Sequence, residues 1–319
     1  MIEGGRIMRY TVRREQSGSA LAAFLAARFP YHTLAGWTAL AAGGAVLVNG
    51  APAGPDLELG ENDVVLYSPA GAAEPAADRT VSVLYEDRDI MVVAKSGNLP
   101  AHPAGRYFRN TLWGVLQDDL GVGEPSIINR LDRETSGVTL VARHPAAARA
   151  CRRQFDEHSV AKTYLAVTEG EFAAPARARG YIGPCPGSAI RKKRRFEPSA
   201  ADGPEPGREA QWADTEFFPE ERHGVLTLVR AVPRTGRLHQ IRATLLALGK
   251  PVAGDKMYGL DEGVFLRFVA DQLTPADAAL MRIGRQALHA ASLSFLHPAD
   301  GRPMTVSAPL PADMRGLLG

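Results

Sequence analysis

The stretch SIINRLDRETSGVTLVAR, residues 126–143, sets Arg130, Asp132, Arg133 and Glu134 between SIIN and VTLVA, two runs rich in β-branched residues that read as strands. The intervening RETSG has turn chemistry, with Gly137 where a positive φ can be required. Asp132 is therefore predicted on a loop between two strands. Burying a carboxylate there costs several kcal/mol unless it is paired, so Arg130, Arg133 or a distant arginine must compensate it. Alone, such a turn reads as a surface feature with local ion pairs. Its meaning depends on what else the chain carries.

The setting is that of an ordinary globular chain. With 319 residues, 45% hydrophobic and 23% charged, there is enough material for one large and one small domain. The 37 basic and 35 acidic residues leave a net charge of only +2, so attraction for nucleic acid must come from local clustering. Cys151 and Cys185 form no C-x-x-C, which argues against a disulfide framework or a cysteine zinc site; no metal is expected, and the cysteines fit a reducing, cytoplasmic setting. No apolar run approaches the roughly 20 residues of a membrane span, and ALAAFLAARF, which ends at Arg28 without a cleavage-like break, reads as a helix. Residues 1–9 have no pattern of their own and leave Met1 and Met8 both open as the start.

Ser17 and Ser19 are candidate N-caps for a helix whose Leu21, Phe24, Leu25 and Phe29 share one face. HTLAGWTALAAGG reads as a second helix closed by Gly43 and Gly44, Asn49-Gly50 signals a hairpin, and DVVLY supplies another strand. A small α+β domain over 10–68 follows, then a Pro/Ala/Gly-rich linker over 69–80, then a larger domain over 81–319. In the latter the strand-like runs VSVLY, IMVVAK, VTLVA, TYLAV, VLTLVRAV and LSFLH mix with helical segments at 145–156 and 238–248. There is no regular strand-helix alternation and no G-x-G-x-x-G, so a mixed, mostly antiparallel α+β sheet domain is expected rather than a doubly wound fold.

Two further blocks accompany the charged turn. KTYLAV places Tyr164 in an apolar strand, and PRTGRLHQIRATLLALGKPVAGDKMYG, residues 233–259, is dense in turn and basic residues. Within it RLHQIRATLLALG reads as a helix with Leu238, Ile241, Leu245 and Leu248 toward the core and His239 and Arg242 together on another face. Between the blocks, Arg191, Lys192, Lys193, Arg194 and Arg195 form a run of cations that reads as a phosphate-contacting ridge. In order and spacing the three blocks resemble the RluA family of pseudouridine synthases, whose pattern runs H-R-L-D-x-x-T-S-G, K-x-Y, then T-G-R-x-H-Q-I-R and G-x-P-I-x-G-D-x-x-Y-G. The resemblance continues through LHAASLSFLHP and APLPADM and covers nearly all of 81–313. Residues 10–68 are more loosely similar to the S4 RNA-binding module named after a ribosomal small-subunit protein.

The resemblance implies isomerisation of a specific uridine in structured RNA, ribosomal or transfer, by a cytoplasmic monomer without a cofactor. Asp132 matches the family's catalytic aspartate, acting as a nucleophile or taking a proton from the sugar, and Arg242 matches the arginine that pairs with it and keeps it ionised. A stacked uridine must be flipped out to react, so Tyr164 is placed to stack on the extruded base and Arg130 to fill the gap it leaves. Arg237 is a candidate phosphate contact, and His239 either a substrate contact or a core or capping histidine. Asn129 departs from the family's usual histidine, which bears on substrate choice rather than on bond making. A glycosidase-like use of Asp132 with Glu134 is disfavoured, because residues two apart on a strand or turn point apart. The other alternative is a catalytically silent RNA-binding or ribosome-assembly protein on the same fold. In the front domain, residues 31–50 carry no Lys or Arg, so that part is expected to position or stabilise, with Trp37 in its core rather than stacked on a base.

Overall fold

In the computed structural model the Asn49-Gly50 hairpin forms as its sequence requires, with both residues at positive φ, 52° and 86°, the conformation of a tight turn matched to strand twist. It joins β2 (Val46–Val48) to β3 (Ala51–Pro52) in a small antiparallel sheet ordered β1-β4-β2-β3, with β1 at Met8–Thr11 and β4 at Val64–Tyr67. Helices α1 (Leu21–Arg28) and α2 (Leu34–Ala42) cover it. Trp37 is fully buried, its indole Nε1–H donating to the Phe29 carbonyl at 3.0 Å and its ring edge-on to Tyr67, so it belongs to this core as expected. The serine caps are not used. Position Ala20 caps α1, and the first free N–H groups, those of Leu21 and Ala22, are taken by the carbonyls of Leu57 and Pro55 from the facing loop.

The structure describes residues 8–29, 32–67, 74–200, 203 and 210–319; the leader through residue 7, residue 68 and linker residues 69–73 lie outside them. The described chain divides into two units, one running up to Ala76 and including His102–Asn110, the other comprising Ala77–Ala101 and Thr111–Gly319. His102–Asn110 thus groups with the front unit and not with the stretch in which the sequence places it. The Glu74 carboxylate explains part of this, since it accepts the backbone N–H groups of Phe108, Arg109 and Asn110 at 2.8–2.9 Å.

The second unit contains, in chain order, β5 (Val81–Glu86), β6 (Ile90–Lys95), α3 (Leu112–Asp118), β7 (Ser126–Ile127), β8 (Ser136–Ala142), α4 (Pro145–Asp156), β9 (Ala161–Glu169), β10 (Ala176–Pro184), β11 (Arg194–Pro198), β12 (Gln211–His223) and β13 (Leu226–Pro233). Then follow α5 (Gln240–Ala247), α6 (Gly263–Val269), α7 (Pro275–Met281), β14 (Leu288–Leu296), β15 (Pro303–Ser307) and α8 (Ala312–Arg315). Its strands form one sheet, β11-β10-β12-β13-β9-β14-β8-β6-β5, with β15 on β14 and β7 on β8. Among the described residues every pairing in it is antiparallel except β14 with β8, so the sheet is mixed and mostly antiparallel, as the sequence predicts. At that parallel junction Gly137 has φ 115°, and a Cβ there would meet the Ala290 carbonyl oxygen at 2.2 Å. Only glycine lets the loop after Asp132 enter the sheet this closely.

Candidate active site

The three motif blocks meet at one cleft. Asp132 lies on the loop between β7 and β8, Tyr164 on β9, which β14 separates from β8, and Arg242 on α5; all three line a cavity of about 100 Å³ with Arg130, Lys162, Arg237 and His239. The Arg242 Nη1–H donates to Asp132 Oδ2 at 2.6 Å across 110 residues of chain, while the Asp132 side chain stays 29% exposed and so remains reachable from the cleft. Burial raises the Asp132 pKa, but the Arg242 guanidinium outweighs it and holds the carboxyl below the usual carboxylate range. Burial and then the Asp132 charge push the Tyr164 phenol up to about 12, so it stays a neutral ring and hydroxyl at neutral pH.

Arg242 is itself held from behind. Asp255, fully buried, accepts from Arg242 Nε at 2.6 Å and Nη2 at 2.9 Å, and from the backbone N–H groups of Met257 and Tyr258. The Tyr258 ring lies 4.8 Å below the guanidinium. A planar fork bound on one edge by Asp255 presents its free Nη1 to Asp132, a geometry lysine cannot copy. Neither Asp255 nor Tyr258 was identified from the sequence as a site residue, although both stand in the GDKMYG stretch beside the candidates.

Helix α5 starts later than the spacing suggests. Residue His239 sits at φ 58° and Gln240 opens the helix, so Leu238 falls in the preceding turn with half its surface exposed, and Leu248 at the far end is also exposed; Ile241 and Leu245 alone of the expected four are buried. The turn is tied by Gln240, whose buried amide accepts from Thr235 Oγ1 and Arg237 N and donates to Asp214 O and Thr215 Oγ1. Arg237 lines the cleft while its Nε–H donates to the Trp212 carbonyl at 2.9 Å. His239 Nε2 faces Asp132 Oδ1 at 3.8 Å, and burial, opposed by Asp132, brings its pKa down to about 4.

The remaining candidates divide. Arg130 is exposed on the rim. Asn129 is not presented to a ligand: its Oδ1 accepts from Leu140 N at 2.7 Å and its Nδ2 donates to Val138 O at 3.1 Å, which clasps the incoming chain to β8. The cationic run is not one uniform ridge. Arg191 and Lys192 are exposed, but Lys193 donates to Glu262 at 2.6 Å, Arg194 is half-buried on β11 and Arg195 pairs with Glu197. Glu134 is engaged by Lys256 and Arg133, which leaves it no part beside Asp132. Lys95 was also missed; its buried ammonium donates to the carbonyls of Ser96, Leu99 and Arg133, pinning the loop next to Asp132, and burial, reinforced by Arg285, brings its pKa down to about 7. A further group, Asp87, Asp89 and His297, is close enough to hold an ion. Hydrogen bonds already occupy Asp87, from Tyr85, His297 and two backbone N–H groups, so it reads as a structural knot.

Residues 89–247 match the family model described as RNA pseudouridylate synthase. The chain is 32% identical over 315 residues to ribosomal large subunit pseudouridine synthase D of Xanthomonas campestris pv. campestris, covering 95% of this chain and 88% of the relative. It is 31% identical over 286 residues to ribosomal large subunit pseudouridine synthase C of Escherichia coli K12, with 86% and 84% covered. Among solved structures, human RNA pseudouridylate synthase domain containing 1 superposes with a TM-score of 0.57 at 28% identity, over 74% of this chain and 86% of that one. With its three motif blocks converging on one cleft and its length shared with these relatives, the chain belongs to the RluA family of RNA pseudouridine synthases, enzymes that isomerise uridine in RNA to pseudouridine.

Proposed function

We propose that Asp132 is the essential catalytic group and that Arg242 keeps it ionised and oriented; the Arg242–Asp132 contact of 2.6 Å at an open cleft carries this reading. The uridine C1′–N1 bond breaks and a C1′–C5 bond forms, N1 gaining a proton and C5 losing one, so nothing is oxidised and no cofactor enters. Asp132 either attacks the sugar or base directly or removes a proton from the sugar. The base is flipped into the cleft and stacks on Tyr164, while Arg130 on the rim fills the vacated stack. Lys162, its pKa lowered by burial and then by Arg237, adds a second cation beside Arg237 for the phosphates flanking the target.

The two relatives named for the large ribosomal subunit favour ribosomal over transfer RNA as the substrate. The front unit serves as an S4-like positioning element. A silent RNA-binding protein on this fold is disfavoured by the joint presence of Asp132, Tyr164 and Arg242 in one cleft. Asp132→Asn tests the reading. It is expected to abolish pseudouridine formation in the site lost on gene deletion while RNA affinity stays within about tenfold, because Asp132 contributes no phosphate contact. Turnover by the purified variant would refute the assignment.

A further inference from the structure

Behind Asp132, His239 and Tyr258 form a chain of hydrogen bonds whose direction can be worked out. The Tyr258 hydroxyl lies 2.7 Å from the backbone nitrogen of Arg194 and 2.9 Å from His239 Nδ1. An amide N–H can only donate, so Tyr258 Oη is an acceptor there and its own proton is free for the imidazole. If His239 carried a proton on Nδ1, Oη would receive two donors and its proton would need another acceptor. The bare Nε2 would also face the Asp132 carboxylate at 3.8 Å, lone pair against negative charge. The opposite arrangement satisfies every group: Oη–H donates to Nδ1, and Nε2 carries the hydrogen that points toward Asp132.

We propose that Tyr258 is a positioning residue that fixes His239 as the Nε2–H tautomer, so that a neutral donor, and not a second cation, stands beside the Asp132–Arg242 pair. This rests on the reading of Asp132 as the reacting carboxylate. Asp132 already has a guanidinium on Oδ2; a second full charge on Oδ1 would quench its basicity and its nucleophilicity alike. A neutral N–H at 3.8 Å is too far for a hydrogen bond to the resting carboxylate and can instead serve a polar atom of the bound nucleotide. The low pKa of His239 agrees: burial, with Arg242 and Arg194 adding to it, outweighs the pull of Asp132 and Asp255. The left-handed backbone of His239, φ 58°, is what turns its ring between Tyr258 and Asp132.

The direct test is the tautomer. In long-range ¹H–¹⁵N spectra of ¹⁵N-histidine-labelled enzyme, with His239 assigned by its loss in His239→Gln, Nδ1 is expected bare and Nε2 protonated at pH 7. In Tyr258→Phe, which keeps the ring under Arg242 and removes only the hydroxyl, the two tautomers should mix. A ring protonated on Nδ1 at pH 7 in the wild type, or an unchanged ring in Tyr258→Phe, overturns the proposal. The kinetic arm uses single-turnover tritium release from a large-subunit ribosomal RNA transcript labelled at uridine C5. Tyr258→Phe is expected to slow release about three- to tenfold, the worth of one neutral hydrogen bond, with RNA affinity unchanged within about twofold. In a His239→Gln background, where the glutamine amide replaces the Nε2–H donor, the same change should have no further effect. Equal slowing in both backgrounds would assign Tyr258 to the support of Arg242 and overturn the proposal. The spectra need no turnover, so an active Asp132→Asn enzyme would refute the proposed mechanism without touching the tautomer.

Discussion

Replacing Arg242 by alanine removes the one guanidinium shared by Asp132 and Asp255, and the structure fixes both the size and the pH dependence of the result. The Asp132 carboxylate is 29% exposed and can regain water, whereas Asp255 has no exposed side-chain surface and keeps only the N–H groups of Met257 and Tyr258. Stranding a buried charge in this way costs about 3–5 kcal/mol, and most of it falls on Asp255. In the wild type both carboxyls lie below their ordinary values, the upward push of burial outweighed by Arg242, so their stabilisation is present above about pH 4 and lost as pH falls toward the folded values. In Arg242→Ala the sign for Asp255 reverses. Its folded pKa rises above the unfolded one, the folded chain binds the extra proton, and stability is regained on acidification by about 1.4 kcal/mol per pH unit between the raised folded pKa and the unfolded value of about 4. Urea denaturation of both proteins should therefore show a deficit of about 3–5 kcal/mol at pH 7 that shrinks by about 2 kcal/mol at pH 5. A deficit below about 1 kcal/mol at pH 7, or one that does not shrink, would refute the assignment of Asp255 as a charge held by Arg242. Turnover should be crippled as well, with Arg242→Lys restoring only part of it, since an ammonium cannot bridge two carboxylates with a planar fork.

Tyr164→Ala is expected to slow pseudouridine formation more than Tyr164→Phe, because phenylalanine keeps the stacking face; equal damage in a tritium-release assay would shift the role to the hydroxyl. Replacing Arg191 and Lys192, two exposed members of the cationic run, should flatten the slope of log affinity against log salt by roughly 1.5. Substituting Arg9, Arg13, Arg14 and Arg28 together should leave that slope nearly unchanged; Arg28 already stacks on Tyr10 and Phe29. The reverse pattern would make the front unit the principal RNA contact. Activity should survive exhaustive chelation, and loss on EDTA treatment with recovery on adding one metal would show that an ion is required.

What the sequence determined by itself was local. β-branched runs flanked by turn residues marked β6, β8, β9 and β13, the helical segment 145–156 marked α4, and Asn49-Gly50 marked a hairpin, because each signal is carried by neighbours in the chain. The motif blocks named Asp132, Tyr164 and Arg242 for the same reason. What only the tertiary structure decided depends on partners far apart in sequence. Asn129 became a clasp on β8 because strand pairing brought Leu140 and Val138 to its amide, and Lys193 met Glu262 across 69 residues. Periodicity extended α5 to Leu238, yet the left-handed turn at His239 stopped it, since Gln240 ties that turn to β12 with bonds no helical pattern encodes. Asp255 shows the limit most clearly. A lone aspartate between a glycine and a lysine has the sequence appearance of a surface turn, and only the fold, by burying it against Arg242, turns it into the charge that holds the cleft's arginine in place.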